Sequence, residues 1–143
     1  MMARSTDRET AGAQKVWKLM FDYLMRSAPQ RTQVLGRLGL TPNDSRALST
    51  LDAKEGRTMR SLAEEWRCDA SNATWIVDRL EKLALAERRG VTHDRRVKLV
   101  VLTRRGVRMK NAILREFLKP PGGLQDLGRA DLESLQRILE KLR

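Results

Sequence analysis

The chain has 143 residues, enough for one domain, or for one domain with end segments that need a partner to bury them. Its 29 Lys and Arg against 18 Asp and Glu give a formal charge of +11 at pH 7, which favours nucleic acid or an anionic membrane surface as a partner. One cysteine and one histidine exclude an intrachain disulfide and a four-ligand zinc site within a single chain.

The sequence also limits compartment and chemistry. No apolar run approaches the roughly 20 residues that span a bilayer, and the opening MMARSTDRETAG lacks the apolar centre of a signal peptide. There is no glycine-rich phosphate loop and no GxSxG motif, and Cys68 and His93 make no plausible catalytic pair. We therefore expect a soluble cytoplasmic protein that is not an enzyme and has no cofactor or bound metal.

The N-terminal region predicts two helices. From about residue 14 to 26, apolar residues recur at the spacing of a helix face, and they are Val16, Trp17, Met20, Phe21 and Leu24. Pro29 is expected to end this helix, because proline disfavours helical geometry in the residue before it. A second short helix is predicted in QRTQVLGRLGL, where Gly36 and Gly39 weaken it.

The middle of the chain predicts a helix-turn-helix. Thr41, Pro42 and Asp44 form the start signal of one helix, and Thr58-Met59 is long enough for one short strand. The helix in SLAEEWR is separated from a helix capped by Asp69 by a very short turn, so the two must cross steeply. The apolar residues of this second helix face inward. We predict that the residues on its outward face contact DNA, namely Ser71, Asn72, Thr74, Trp75 and Arg79.

Trp75 leaves an alternative open. It either belongs to the edge of the core or exposes its indole to sugar or a thymine methyl group in the groove. The hydroxyl and amide residues around it are either solvated first-turn residues or short donors and acceptors that contact base edges.

Two strands, ERRGV and RVKLVVL, with THD as the tip between them, predict a hairpin beside the helix pair. Between Arg88 and Arg105, seven cations face the single carboxylate of Asp94. An arginine at such a tip meets enhanced negative potential in a narrow minor groove. We predict DNA contact for Asp94, Arg95 and Arg96, with Asp94 holding an arginine side chain in a defined pose. The alternative is a solvated Asp/Arg turn, worth about 0–1 kcal/mol.

The C-terminal region predicts two further helices, one capped by Thr103 and one after Pro120-Pro121-Gly122-Gly123. Apolar stripes at 16–24, 107–118 and 132–142 are rich in leucine and aromatic residues and far apart in sequence. A small domain would bury them best against a second copy, which predicts a homodimer.

Residues 41–106 resemble the MarR family of transcriptional regulators. The resemblance is carried by SLAEEW…SNATWIVDRLEKLALAERR, by the Asp-x-Arg pattern of Asp94 and Arg96, and by LTRRG. It implies a mainly α fold with a small β-wing: a winged helix-turn-helix at 41–106, flanked by dimerisation helices at 1–40 and 107–143. Arg67 and Ala84 depart from positions where the family commonly has glycine, and Arg60 replaces the usual capping residue, so Ser61 is expected to cap instead.

The resemblance implies a homodimer that binds a pseudo-palindromic DNA operator, more commonly as a repressor. It also implies a small aromatic or phenolic effector that releases DNA, for which Trp17, Met20 and Phe21 are the predicted pocket, although such a stripe can be dimer core only. Oxidant sensing through Cys68 is an alternative, but a free cysteine is commonly buried and inert. Two other functions stay open: a non-specific architectural DNA-binding protein and a winged-helix protein-interaction module.

Overall fold

A computed structural model describes residues 3–91 and 93–143. Within that range, six helices and three strands follow one another. They are α1 (Ala3–Arg37), α2 (Pro42–Thr50), β1 (Arg57–Thr58), α3 (Met59–Trp66), α4 (Ala70–Lys82), β2 (Ala86–Val91), β3 (Asp94–Leu102), α5 (Arg104–Phe117) and α6 (Arg129–Glu140). The strands form one antiparallel sheet in the order β1-β3-β2, which confirms a mainly helical fold with a small β-wing.

The prediction of two separate N-terminal helices is wrong, because α1 runs through Pro29 without a break. Pro29 has no N–H to donate to the carbonyl one turn earlier. Polar side chains hold this turn instead: the Ser27 hydroxyl donates to the Leu24 carbonyl at 2.7 Å, and the Arg31 guanidinium donates to Ser27 Oγ at 2.7 Å. The helix ends where Gly39 adopts a left-handed φ of 70°.

The starts of α2 and α3 follow two capping arrangements. At α2, Thr41 and Asp44 form the predicted capping box, with the Asp44 N–H donating to Thr41 Oγ1 at 3.1 Å. At α3, the Ser61 N–H donates to Thr58 Oγ1 at 3.1 Å, so Thr58 is the cap and the expectation for Ser61 is wrong. Thr58 is also the last residue of β1, and the helix therefore begins directly from the strand.

The wing is built from β2 and β3, which pair from Ala86 opposite Leu102 to Gly90 opposite Lys98. The register shifts between Gly90 and Val91, and Val91 then lies opposite Asp94. The shift places a bulge next to the hairpin tip, where it changes the direction of the strand. The predicted tip residue Thr92 lies outside the described residues.

The core lies between the helix-turn-helix, α2 and the sheet. Its buried members come from α1, α2, α3, α4, β2, β3 and α5, so all three predicted segments of the chain contribute. The largest fully buried apolar side chains are Leu48, Leu51, Leu62, Leu80, Leu85, Val77 and Val100. The Trp66 Nε1–H donates to Thr50 Oγ1 at 3.0 Å and links α3 to α2.

Among the described non-glycine residues, Arg67 at 53° and Ala84 at 58° have a positive φ, and both stand where the resemblance implied that glycine is common. Each follows a helix, and after each the chain donates a hydrogen bond back to the last turn. The Cys68 N–H donates to the Ala63 carbonyl at 3.0 Å, and the Leu85 N–H to the Leu80 carbonyl at 2.9 Å. These helices thus end in the arrangement that glycine normally occupies.

The structure explains why glycine is the last residue of the LTRRG motif, Gly106. A Cβ at this position would lie 1.9 Å from the Leu85 carbonyl oxygen, so the backbone after β3 passes against the turn that follows α4. Thr103 fixes the same junction, since its hydroxyl donates to the Ala84 carbonyl at 2.7 Å. No side chain can be accommodated at Gly106 without moving backbone.

The outer half of α1 and the whole of α6 expose apolar side chains. Trp17 is 64% exposed, and α6 contains no buried residue. The exposed large apolar residues of these two helices are Val16, Trp17, Leu19, Met20, Phe21, Leu24, Met25, Leu132, Leu135, Ile138 and Leu139. Within the described residues, no other element covers these apolar side chains of α1 and α6. No helix in that chain is both long and apolar enough to cross a membrane.

Candidate nucleic-acid interface

The exposed face of α4 carries four of the five residues predicted for its DNA contact. Ser71, Asn72, Thr74 and Trp75 are all exposed, while Ala73, Ile76, Val77 and Leu80 are buried on the opposite face. The helix starts at Asp69, whose carboxylate accepts from the Asn72 N–H at 2.7 Å. The structure therefore gathers these four residues on the first two turns of one helix.

The hydroxyl groups on this face are already engaged within the protein. The Ser71 hydroxyl donates to Asp69 Oδ1 at 2.8 Å, and the Thr74 hydroxyl donates to the Ala70 carbonyl at 2.9 Å. A hydroxyl has one hydrogen, so both groups are left with acceptor capacity only. The side-chain amide of Asn72 has no hydrogen-bond partner among the described residues and keeps its two N–H donors for a ligand.

Asp69 is charged at neutral pH. The Asn72 N–H and the Ser71 hydroxyl donate to its carboxylate and hold its pKa below the ordinary value. The negative charge at the start of α4 is also favourable for the helix, because the unpaired N–H groups there carry partial positive charge. The charged carboxylate of Asp69 therefore lies at the end of α4 that would meet a duplex, where its hydrogen bonds cap the helix.

Trp75 is 58% exposed, so the core alternative is wrong, and the contact of its indole with DNA stays a prediction. It lies one turn beyond Ser71 and Asn72 on the same face of α4, as residues three and four apart do. No aromatic ring contacts the indole within the described chain. The largest apolar group on this face is therefore directed to solvent in the free protein.

Arg79 has a structural partner that the sequence pattern did not indicate. Its Nε donates to both carboxylate oxygens of Asp44, at 2.9 and 3.1 Å. Asp44 is 1% exposed and also accepts from the Thr41 N–H at 2.8 Å. Burial raises the pKa of Asp44, but the hydrogen bonds from Arg79 and Thr41 outweigh it and hold that pKa below 3.8. The predicted DNA contact of Arg79 stays a prediction.

The carboxylate of Asp94 accepts a hydrogen bond from the backbone, and its predicted pairing with an arginine side chain stays a prediction. Its Oδ1 accepts from the Arg96 N–H at 2.9 Å, a hydrogen bond that shapes the turn into β3. No described guanidinium pairs with Asp94. The side chain of Arg95 lies outside the described residues, and that of Arg96 is exposed.

The cationic surplus of the wing is smaller than the sequence count suggests. Arg88 pairs with Asp78 of α4 at 2.8 Å and also with Glu81, and Arg89 pairs with Glu87 at 2.5 Å. These two arginines are neutralised within the fold. The cations of this region that are exposed and have no acidic partner among the described residues are Arg96, Lys98, Arg104 and Arg105.

A cavity of about 420 Å³ lies between α1, α2 and α5. Its apolar wall includes Leu35, Pro42, Leu48, Ile113, Leu114 and Phe117. Arg31, Arg46 and Lys110 also line it, and no acidic residue does. Trp17, Met20 and Phe21, the predicted pocket residues, do not line this cavity; they are exposed on the outer half of α1, where the Trp17 and Phe21 ring centroids are 6.4 Å apart.

One signal in the sequence indicates that Asp44 needs a charged partner, although it does not identify Arg79. Asp44 is the third residue after a cap and was assigned to the capping box alone, although an acidic residue in a helix that faces the core needs a charged partner. The cavity residues come from three helices that are distant in sequence, and only the fold brings them together. Cys68, the alternative redox site, is half-buried in the turn before α4.

Known proteins resemble this chain over part of its sequence and in its fold. Residues 38–97 match the model of the MarR family. A mutant of MepR from S. aureus bound to an oligodeoxyribonucleotide has 21% identity and a TM-score of 0.72, over 88% of this chain and 94% of that chain. A transcriptional regulator from Thermotoga maritima has 21% identity and a TM-score of 0.74, over 90% and 92%. The multiple antibiotic-resistance repressor MarR from Listeria monocytogenes has 18% identity and a TM-score of 0.75, over 94% and 95%. No curated protein sequence matches this chain.

Proposed function

We propose that the chain, whose residues 38–97 match the model of the MarR family, is a transcriptional regulator that binds a specific double-stranded DNA operator as a homodimer. The observation that carries the proposal is the exposed face of α4 beside a cationic wing. A helix that projects polar and aromatic groups at its N-terminal end fits the major groove, where base pairs present distinguishable edges.

In the proposed complex, Ser71, Asn72, Thr74 and Trp75 face the major groove. Asn72 is the principal donor among them, because its amide is free while the two hydroxyls are engaged. The wing tip lies along the backbone and places Arg96, together with Arg95, at the neighbouring minor groove. Asp94 supports this contact by fixing the backbone of Arg96. Arg79 contributes mainly by holding α4 against α2.

The proposed homodimer buries the exposed apolar residues of α1 and α6. Apolar faces of this extent are costly to leave in water, and a second copy offers a matching surface through a two-fold axis. We assign residues 1–40 and 107–143 to this assembly and 41–106 to DNA. Two copies of α4 related by a two-fold axis require an operator with two inverted half-sites about one helical turn apart.

Control of binding is proposed to pass through α2. One side of α2 lines the cavity, and the other holds Arg79 of α4 through Asp44. The cavity combines an apolar wall with three cations, which suits a small aromatic or phenolic acid. A bound effector that displaces α2 would also displace α4, release the operator and relieve repression in the cytoplasm.

Selection of bound duplexes from a random pool tests the proposal. An inverted repeat with half-sites about one turn apart is expected, bound roughly 10³-fold or more tightly than random DNA at physiological salt. Equal affinity for all duplexes would favour a non-specific architectural protein. No DNA binding would favour a protein-interaction module, and a monomer by sedimentation at micromolar concentration would contradict the dimer.

A further inference from the structure

We infer that Trp75 determines the sequence preference of the proposed regulator by contacting the 5-methyl group of a thymine in each half-site. The inference rests on the proposed function, because it specifies what the exposed face of α4 selects. It assigns to one residue the preference for a T·A pair at one position of the operator.

The first step is the placement of the indole. Trp75 is 58% exposed, and it lies three residues after Asn72 and four after Ser71, so its ring shares their face of α4. The helix itself is anchored by buried Ala73, Ile76 and Val77 on the other side. An exposed indole on an anchored helix keeps a large apolar surface in water at a position where a small polar residue would suffice.

The second step is the chemistry that the neighbours leave free. The hydroxyls of Ser71 and Thr74 donate within the helix, and Asp69 is committed to the cap. The face therefore offers one free amide, at Asn72, and one large apolar group, at Trp75. The apolar group that duplex DNA displays in the major groove is the thymine methyl, which apolar side chains contact.

The third step is the limit of the contact along α4. One turn beyond Trp75, Asp78 pairs with Arg88 at 2.8 Å, and Glu81 pairs with the same guanidinium. The side chain one turn beyond Trp75 on this face is thus occupied by the base of the wing, and the carboxylate of Asp78 would repel phosphate and base acceptors. Trp75 is therefore the last large apolar group on this face of α4.

Thymine and deoxyuridine have the same hydrogen-bonding edge and differ by this methyl group alone, so the substitution isolates the contact. We would replace each thymine of the selected operator by deoxyuridine, in both half-sites together, and measure binding to the wild type and to Trp75→Ala. At one thymine position, wild-type binding is expected to weaken by about fourfold per half-site, the effect of about one buried methyl group. Binding of Trp75→Ala is expected to be insensitive there.

Asn72→Ala is the matched control, since it removes a neighbour of Trp75 from the same face. It should bind the operator more weakly but keep the full deoxyuridine effect. Because Trp75 is exposed, its variant should retain the thermal unfolding midpoint of the wild type, which is measured alongside. If Trp75→Ala lowers the unfolding midpoint by more than a few degrees, Trp75→Gln takes its place in the binding measurements. Glutamine keeps a long side chain but lacks the apolar ring.

The outcomes separate this inference from the proposed function. Specific operator binding with no deoxyuridine-sensitive position, or with equal sensitivity in the wild type and Trp75→Ala, would overturn the role of Trp75 and leave the regulator intact. A pool without any preferred duplex would overturn both.

Discussion

Arg79 Nε of α4 lies 2.9 Å from Oδ1 and 3.1 Å from Oδ2 of Asp44 in α2, and the carboxylate is 1% exposed. This ion pair joins the helix that would meet DNA to the helix that lines the cavity. The Thr41 N–H donates to the same carboxylate, so one side chain closes a capping box and fixes an inter-helix contact.

Replacement of Asp44 by alanine is expected to lower the free energy of unfolding by about 3 kcal/mol, the low end for breaking a buried pair, because the partly exposed Arg79 can regain water. Urea unfolding at matched protein concentration measures the change. Asp126→Ala, at an exposed position, should stay within about 0.5 kcal/mol of the wild type. Equal stability of the two variants would contradict the assigned role.

The lowered pKa of Asp44 also makes the free energy of unfolding depend on pH. Its pKa in the folded protein is lower than the ordinary 3.8, so the stability that the charged form contributes is fully present above 3.8 and is lost as pH falls through the folded value. The difference in unfolding free energy between the wild type and Asp44→Asn should therefore be constant from pH 7 down to about 5 and shrink in more acidic buffer. If the difference in unfolding free energy between the wild type and Asp44→Asn grew as the pH fell, the lowered pKa of Asp44 would be contradicted.

The left-handed residues Ala84 and Arg67 are expected to be suboptimal for stability. Ala84→Gly should raise the free energy of unfolding by about 0.5–1 kcal/mol, because relief of left-handed strain exceeds the added entropy of the unfolded chain. Arg67→Gly should change it in the same direction. Ala112→Gly, inside α5, is the control and should lower it by about 1 kcal/mol. Thermal unfolding of the three variants makes the comparison.

Gly106→Ala is expected to destabilise the protein by about 3 kcal/mol or to prevent folding, since its Cβ would lie 1.9 Å from the Leu85 carbonyl oxygen. Gly36→Ala is the matched substitution at a helical glycine whose Cβ would contact nothing within 4 Å. That variant should gain up to about 1 kcal/mol. Soluble yield and urea midpoints distinguish them, and a tolerated Gly106→Ala would disprove the close approach.

Arg96 is an unpaired cation of the wing, and Arg89 is a paired one, so replacing each in turn tests the effect of pairing. Arg96→Ala should weaken operator binding by about 1–3 kcal/mol and reduce the salt slope by about 1. Arg89→Ala should have a smaller effect on both, because Glu87 already neutralises that guanidinium at 2.5 Å. Titration of the selected operator at several salt concentrations measures both quantities. A larger loss for Arg89→Ala would reverse the assignment.

The helix-turn-helix was predictable from the sequence because its signals are local. Asp69 and Thr103 each cap a helix within four residues, and the change from helical to alternating periodicity after Glu87 marks the wing. Pro29 misled the prediction, since a local rule about proline takes no account of polar side chains such as Ser27 and Arg31 that hold the turn.

The exposed face of α4 followed from its periodicity, but the state of its side chains did not. Which hydroxyls are engaged, and that Arg88 is neutralised by Asp78, depends on contacts between elements. Counting charges along β2 and β3 overestimated the free cations for the same reason. Asp44 and Arg79 are 35 residues apart, a separation at which sequence patterns carry no pairing information.

The unbroken α1 has a geometric consequence. Leu35, near one end, is buried in the core, while Phe21, further out, belongs to the surface proposed to join two copies. A helix rotates by about 100° per residue, so one residue inserted after Pro29 would swing the outer surface a quarter of the way around the rod without touching either end. In the proposed homodimer, the number of residues in α1 would therefore set the rotation of one subunit relative to the other, and with it the distance between the two copies of α4.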